Sequence, residues 1–225
     1  MKNLFDEYRY EPHLFDSIKQ LLTPGSTFYD IGAYDGITSI PPAQHLGGEN
    51  VVIIEPGEMN WATIRARWEA HKLVPPRATF AGFLDSINKL GVNPQSVVYK
   101  NEFPPEAHKF RVAEQEEGLN FRVLEYRALY PEVAAIPSLT LDTVVSIAGP
   151  PAGIQMDVEG AELLVLQGAQ YTLKEYHPVV WVSVHPKHMR EHFGQEPSDL
   201  LNLMADLDYK SVLVADDHEQ HWRFE

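Results

Sequence analysis

Cysteine is absent from the sequence, although the chain is 225 residues long. Disulfide bonds and thiolate chemistry are therefore excluded. The chain also has no apolar run near the roughly 18 residues that a membrane-spanning helix needs, and no basic-then-apolar leader opens it. We therefore expect a cytoplasmic protein that does not associate with membranes.

Basic residues are few. Lysine and arginine together number 18 against 32 aspartates and glutamates, which gives a formal net charge of −14 at pH 7. Binding to nucleic acid depends on a basic surface, so no nucleic-acid partner is expected. The share of hydrophobic residues, 44%, is that of a folded protein. The length suits one large domain, and we predict a single domain over residues 1–225.

The most informative stretch lies between residues 27 and 56. A first apolar strand contains Asp30 near its end, a turn with Gly32 and Gly36 follows, and a second apolar strand ends at Glu55. This pattern is typical of a βαβ unit that binds a nucleoside-containing ligand at the carboxyl ends of its strands. Glu55 lies 19 residues beyond Gly36, close to the ~20-residue interval at which an acid meets a ribose hydroxyl. The glycine spacing does not match that of pyrophosphate binders, which argues against a nicotinamide dehydrogenase.

Strand-like and helical segments alternate along most of the chain. This order requires a mainly parallel sheet with helices on both faces, and we predict seven strands ending in an antiparallel hairpin. Pro41 and Pro42 should shorten or kink the helix after Gly36. Gly168 falls inside the helix predicted after the fourth strand, where close packing against the sheet would explain it.

Between about residues 87 and 136 the alternation weakens. Short strand-like runs are separated by prolines and charged residues, which indicates an insertion of irregular strands and loops rather than a second domain. Insertions at this edge of an α/β sheet usually shape the substrate site. Just before it, Asp85 follows the third strand. This aspartate is equally well explained as a hydrogen-bond acceptor for a base amine and as an exposed turn residue.

Several motifs, in the same order along the chain, resemble the FkbM-type S-adenosylmethionine-dependent methyltransferases. They are Asp30–Gly36, Val51–Pro56, Leu139–Asp142, Gln155–Glu162, Leu166–Ala169 and Tyr176–His185. The resemblance implies a Rossmann-like class I methyltransferase fold, for which the terminal hairpin is also typical. It further implies S-adenosylmethionine as methyl donor and O-methylation of a hydroxyl on a sugar, glycan or small natural product.

The resemblance and the strand pattern together predict a cofactor site. The glycine turn would seat the methionine end of the donor, and Glu55 would accept hydrogen bonds from both ribose hydroxyls. Tyr34 stands where the family often has asparagine. The predicted cofactor-binding residues are Asp30, Gly32, Ala33, Tyr34, Gly36, Glu55 and Asp85.

Two further side chains are the candidates for catalysis. Asp157 ends the fourth strand and His185 ends the fifth, so both should face the same crevice. We hypothesise that His185 is the general base and that Asp157 orients the acceptor or the base. The alternatives are a helix-capping role for Asp157 and a local hydrogen bond for His185. Ser183 stands where the family usually has a glutamate, so the sequence offers His185 no acidic partner at that position.

Other assignments stay open from the sequence. No metal is predicted in the leading interpretation, although a divalent cation held by Asp157, Glu159 and His185 is an alternative. Glu162, at the helix start, suits the helix dipole. A cofactor-binding regulatory or assembly module without turnover and an N-methyltransferase are the competing functions. No feature of the sequence predicts an oligomeric state.

Overall fold

The computed structural model describes residues 11–88, 93–105 and 137–225. Its regular elements alternate between helix and strand, with short 3-10 helices at Gly48–Asn50 and Pro94–Ser96. In chain order they are α1 (Pro12–Leu21), β1 (Phe28–Ile31), α2 (Ile40–Leu46), β2 (Val51–Ile54), α3 (Glu58–Ala70), β3 (Ala78–Phe80), β4 (Phe83–Leu84), β5 (Val98–Lys100), β6 (Ser138–Leu139), α4 (Leu141–Ala148), β7 (Gly153–Asp157), α5 (Glu162–Gln167), α6 (Gln170–Tyr176), β8 (Val179–Val184), α7 (Pro186–Phe193), α8 (Pro197–Asp206), β9 (Ser211–Asp216) and β10 (Gln220–Phe224).

The main sheet has eight strands in the order β5-β3-β2-β1-β7-β8-β10-β9. Strands β3, β2, β1, β7 and β8 are parallel, while β10 runs antiparallel to both β8 and β9. The mainly parallel sheet and the terminal hairpin confirm the predicted fold class, but the predicted number of seven strands is wrong. The additional strand is β5, which pairs antiparallel with β3 at the edge.

Two hydrophobic layers cover the two faces of this sheet. Strands β1 and β2 are fully buried, which explains why they are continuous apolar runs rather than alternating ones. Tyr29 and Ile31 pack on one side with helices α4 to α6 and α8, and Phe28 packs on the other side with α1 to α3. Because successive side chains of a strand point to opposite faces, each strand contributes to both layers.

The helices at the carboxyl ends of the strands differ in detail from the prediction. Helix α2 begins only at Ile40, so Pro41 and Pro42 occupy its first turn, where proline removes no helical hydrogen bond. The helix predicted after β7 is two short helices that break near Gly168. A Cβ atom on Gly168 would lie 2.1 Å from the backbone oxygen of Asp85, so the close contact is with the loop after β4 rather than with the main sheet.

The predicted insertion is described only in part. Residues 89–92 and 106–136 lie outside the described residues, so the single domain over 1–225 and the substrate-shaping role of 87–136 stay predictions. In the described part of the chain, no helix is both long and apolar enough to cross a membrane.

Candidate functional site

A cleft opens at the carboxyl ends of β1, β2 and β7. It encloses about 520 Å³ when the space open to solvent is included. Its wall includes Gly32 after β1, Glu55 after β2 and Asp157 at the end of β7, together with Leu84 and Phe193. Because β2 and β7 flank β1 on opposite sides, the cleft lies at the switch point where α/β sheets bind ligands.

Glu55 is 4% exposed. One carboxylate oxygen accepts a hydrogen bond from the backbone N–H of Tyr34 at 2.8 Å. The other accepts from the backbone of Gly57 at 2.6 Å and from Asn60 Nδ2 at 3.0 Å. Burial raises the pKa of Glu55 to about 7, although these hydrogen bonds oppose the rise. A carboxylate has about four acceptor positions, so three protein donors leave room for a ligand hydroxyl.

The glycine turn is held tightly against the neighbouring elements. Gly32 has a φ of +80°, and a Cβ atom there would lie 1.8 Å from the backbone oxygen of Asp157. Gly36 has a φ of +84° and packs against Ile64 of α3. Both positions therefore require glycine because of backbone conformation, and Gly32 also because β1 and β7 approach each other closely.

The amides of this turn are paired within the protein. The backbone N–H groups of Gly32 and Ala33 both donate to the oxygen of Ile54. Tyr34 has a φ of +50° and an exposed side chain, and its own N–H donates to Glu55. The turn is thus fixed to the end of β2, with Tyr34 presented to solvent.

Of the predicted cofactor-binding residues, Gly32 and Glu55 line the cleft, whereas Ala33, Tyr34, Gly36, Asp30 and Asp85 do not. Asp30 is fully buried and accepts hydrogen bonds from the hydroxyls of Thr38 and Ser39. Its burial raises its pKa to about 6, against the effect of these hydroxyls. Asp85 accepts from the backbone N–H of Ser86 at 2.7 Å. Asp30 therefore stabilises the loop before α2, and Asp85 stabilises the turn after β4.

His185 lies between two buried carboxylates. Its Nδ1 is 2.9 Å from Glu162 Oε1, and its Nε2 is 2.5 Å from Glu219 Oε2. Burial lowers the pKa of His185, but the hydrogen bonds to Glu162 and Glu219 and the charge of Asp157 outweigh that effect and raise it to about 11. The ring is therefore an imidazolium at neutral pH. This protonation state does not suit the predicted role of His185 as general base, because no ring nitrogen is left to accept a proton.

Asp157 lies in the cleft in front of this imidazolium. Its Oδ1 is 3.7 Å from His185 Nε2 and has no hydrogen-bond partner among the described residues. Burial raises the pKa of Asp157 well above its usual value, and nearby Glu219 and Glu159 reinforce the rise, while His185 opposes it. Asp157 is thus a carboxylate of increased basicity on the wall of the cleft, with Oδ1 buried on the side of His185.

Comparison with known proteins assigns the chain to a family. The profile of the methyltransferase FkbM domain matches residues 30–211. The chain belongs to the FkbM methyltransferase family. The predicted resemblance is therefore confirmed at the level of the family. No curated protein matches the sequence significantly.

Solved structures share the fold of this FkbM family member. The methyltransferase FkbM from Methylobacillus flagellatus superposes with a TM-score of 0.54 at 18% identity, over 89% of this chain and 44% of that one. This chain thus spans less than half the length of that protein. Precorrin-6y C5,15-methyltransferase from Geobacter metallireducens gives 0.51 at 12% identity, over 100% and 90% of the two chains. A proposed methyltransferase from Streptococcus mutans, in complex with S-adenosylhomocysteine (SAH), gives 0.50 at 12% identity, over 95% and 94%.

Sequence reasoning missed both acidic partners of His185. Ser183 does not contact this histidine through a hydrogen bond but lies 3.2 Å from Nδ1 of His221. The sequence predicts a helix-dipole role for Glu162, and its place in the motif that begins at Asp157 is the one signal that points to a role in the site. Glu219 gave no signal, because only the antiparallel pairing of Gln220 with Val184 brings it beside His185.

The cluster around His185 is an ion-pair network in this family member. Asp157, His185 and Glu219 have ligand atoms close enough together to hold an ion, as do Glu159, His185 and His188. Bonds of about 2.1 Å at tetrahedral angles, however, place two ligand atoms about 3.4 Å apart. The 2.5 Å between His185 Nε2 and Glu219 Oε2 is too short for that. The alternative of a cation held by Asp157, Glu159 and His185 gains no support from this arrangement, since it would require Glu219 to move.

Proposed function

We propose that this family member transfers a methyl group from S-adenosylmethionine to a hydroxyl on a sugar, a glycan or a small natural product. One observation carries the proposal: a single cleft at the switch point of the sheet contains both Glu55 and Asp157. The first suits the ribose of an adenosyl group, and the second suits proton removal from an acceptor. Family membership and the shared fold supply the reaction type.

S-adenosylmethionine is the methyl donor, and when bound it supplies an electrophilic methyl carbon. Glu55 would hold the ribose through the acceptor position that the protein leaves open. The turn from Gly32 to Gly36 would border the methionine end, and its internal hydrogen bonds keep it rigid before binding. The SAH bound to the Streptococcus mutans protein of the same fold supports this choice of cofactor.

Asp157 is the residue that we assign to proton removal. Its raised pKa makes it a stronger proton acceptor than an ordinary aspartate. It would take the proton that the acceptor hydroxyl loses as its oxygen bonds to the methyl carbon, while the carbon–sulfur bond would break and its electron pair would stay on the departing S-adenosylhomocysteine. His185 is then a positioning residue. Glu162 and Glu219 stabilise its positive charge, and that charge attracts the Asp157 carboxylate from outside the wall of the cleft.

The chemistry of Asp157 also supports oxygen rather than nitrogen as the acceptor atom. A neutral amine attacks a methyl sulfonium without losing its proton first, whereas a hydroxyl is a weak nucleophile until a base withdraws its proton. A carboxylate with a raised pKa on the wall of the cleft is therefore most useful to an O-methyltransferase. The net charge of −14 further disfavours a nucleic-acid acceptor.

Calorimetry with S-adenosylmethionine tests the cofactor assignment. Glu55→Gln should weaken binding at least tenfold, because the amide donates where the carboxylate accepts, while the exposed Glu49→Gln should bind like the wild type. Absence of binding to the wild-type chain would refute the proposal.

Transfer of a labelled methyl group to a panel of sugars, glycans and natural products tests the reaction. Asp157→Asn should retain cofactor binding but lose roughly 10²–10⁴-fold in turnover, the usual contribution of a positioned base. Binding without transfer to any acceptor would favour the module without turnover. Transfer to an amine acceptor that Asp157→Asn leaves unchanged would favour an N-methyltransferase.

A further inference from the structure

A second cavity, with a wall of different residues, lies beside the terminal hairpin. Its wall includes Glu11 and His13 at the start of α1, Gln155 of β7, Ser183 of β8 and His221 of β10. None of these residues lines the first cleft. The cavity therefore combines two imidazoles, one carboxylate and one amide from three different elements.

We propose that Glu11, His13 and His221 bind a divalent first-row transition-metal ion, with Gln155 Oε1 as an additional donor. One donor atom from each of the first three residues lies within 4.8 Å of the other two. The rings of His13 and His221 have centroids 4.7 Å apart and are inclined by 64°, so they converge without stacking. Two imidazoles and one carboxylate form a ligand set that suits iron, zinc or another ion of this series, and not magnesium or calcium.

Buried donors without partners point to a ligand in this cavity. Glu11 is 6% exposed. Gln155 is 2% exposed, and its Oε1 is buried without a partner, as is Nε2 of His13. Buried polar groups are normally paired because an unpaired one is destabilising. An ion in the cavity would satisfy Gln155 Oε1 and His13 Nε2 and would also bind the buried Glu11 carboxylate.

The groups around the cavity favour a cation. Ser183 Oγ lies 3.2 Å from Nδ1 of His221, which orients the ring as a hydrogen-bonding neighbour orients a metal-bound histidine and leaves Nε2 for the ion. Glu219 Oε1 is 3.5 Å and Asp217 Oδ1 is 3.6 Å from that nitrogen, so two further negative charges stand close by.

An ion at this position would join the first helix to the last strand. Glu11 and His13 lie at the start of the described chain and His221 near its end, so the ion would fix α1 against the hairpin. Glu219 connects the two sites, because its other oxygen contacts His185. Metal binding itself is independent of the proposed methyl transfer and is measured without cofactor or acceptor.

Metal titration of the full-length, untagged, chelator-treated protein tests the proposal. We expect Zn²⁺ to bind at one equivalent by calorimetry, and Co²⁺ to bind at one equivalent with a visible absorption band. Glu11→Gln and His221→Gln should each weaken binding at least tenfold. Glu11→Gln keeps the shape of the side chain and removes a buried charge, so it should fold. His71→Gln, at the end of α3, is the matched control and should bind like the wild type.

Three outcomes would overturn the proposal. The first is the absence of saturable binding of either ion to the wild-type chain. The second is equal binding by the wild type, Glu11→Gln and His221→Gln. The third is loss of binding in Asp157→Asn together with full binding in Glu11→Gln, which would place the ion in the His185 cluster instead.

Discussion

Removal of His185 tests the ion-pair network most directly. The ring separates Glu162, which is fully buried, from Glu219, which is 5% exposed. The variant His185→Gln removes the cation and leaves both carboxylates inside the protein. Because removal of one partner from a buried ion pair leaves an uncompensated charge, we expect the free energy of unfolding to fall by about 3–5 kcal/mol. For a chain of this length the corresponding loss in melting temperature is roughly 6–20 °C.

The pH dependence of that difference follows from the raised pKa of His185. Its pKa rises from the usual 6.5 to about 11 on folding, so its stabilisation is complete below pH 6.5 and is lost as the pH rises toward 11. Burial raises the pKa of Glu219, but its hydrogen bond to His185 outweighs burial and leaves it lowered. The stabilisation from ionised Glu219 is present above its usual pKa of 4.5 and is lost as the pH falls below that value. The advantage of the wild type is therefore largest between about pH 4.5 and 6.5.

Urea denaturation followed by tryptophan fluorescence measures the effect at pH 6, 7, 8 and 9. Above pH 6.5 the difference between the wild type and His185→Gln should decrease by no more than about 1.4 kcal/mol per pH unit. The double variant His185→Gln with Glu162→Gln should recover part of the loss, since it removes one of the two stranded charges. A loss below about 1 kcal/mol at pH 6 would refute the reasoning, as would a difference that does not change with pH.

Three further predictions concern Asp30, Gly168 and Glu55. Because burial raises the pKa of Asp30 to about 6, the folded state holds a proton that the unfolded state releases. The free energy of unfolding of the wild type should therefore fall by up to about 3 kcal/mol as the pH rises from 4 to 6. Asp30→Asn should flatten that loss in urea denaturation, and an unchanged curve would contradict the assignment. Gly168→Ala places a Cβ against the backbone oxygen of Asp85 without backbone strain, so the free energy of unfolding should fall by about 1–3 kcal/mol, as measured by thermal unfolding. The exposed neighbour Gln167→Ala is the control and should leave stability unchanged. Equal stability of the two variants would contradict the prediction. If Glu55 binds the ribose as a carboxylate with a pKa of about 7, calorimetric affinity for S-adenosylmethionine should rise about tenfold from pH 6 to pH 8, and it should stay constant in Glu55→Gln.

Local signals predicted most of the fold. The apolar runs of β1, β2, β7 and β8 are buried on both faces of a parallel sheet, a position that accepts only such sequences. The additional strand β5 has only three residues and lies at the edge, where little burial is required, and its sequence carries a correspondingly weak signal. The break between α5 and α6 depends on how closely the Asp85 loop approaches Gly168, a tertiary contact that no helical periodicity records.

Local sequence signals likewise placed some residues of the candidate site correctly and others not. Glu55, Gly32 and Asp157 follow strand ends, and parallel strands bring their carboxyl ends to one edge of the sheet, so their sequence positions suffice to place them together. Asp30 has the same apparent pattern, yet its side chain turns to Thr38 and Ser39 of the following loop.

The sequence by itself determined the family, the parallel sheet and the edge at which ligands bind, because these depend on periodicity and on motifs within short segments. Only the tertiary structure decided the protonation of His185, since that depends on Glu162 and on Glu219, which the antiparallel register of β10 carries to it. The meeting of His13 with His221 is likewise tertiary, because it joins the two ends of the chain. The groups in these clusters come from different strands and helices, and their interactions depend on how close they lie in space. The order of residues along the chain does not give those distances.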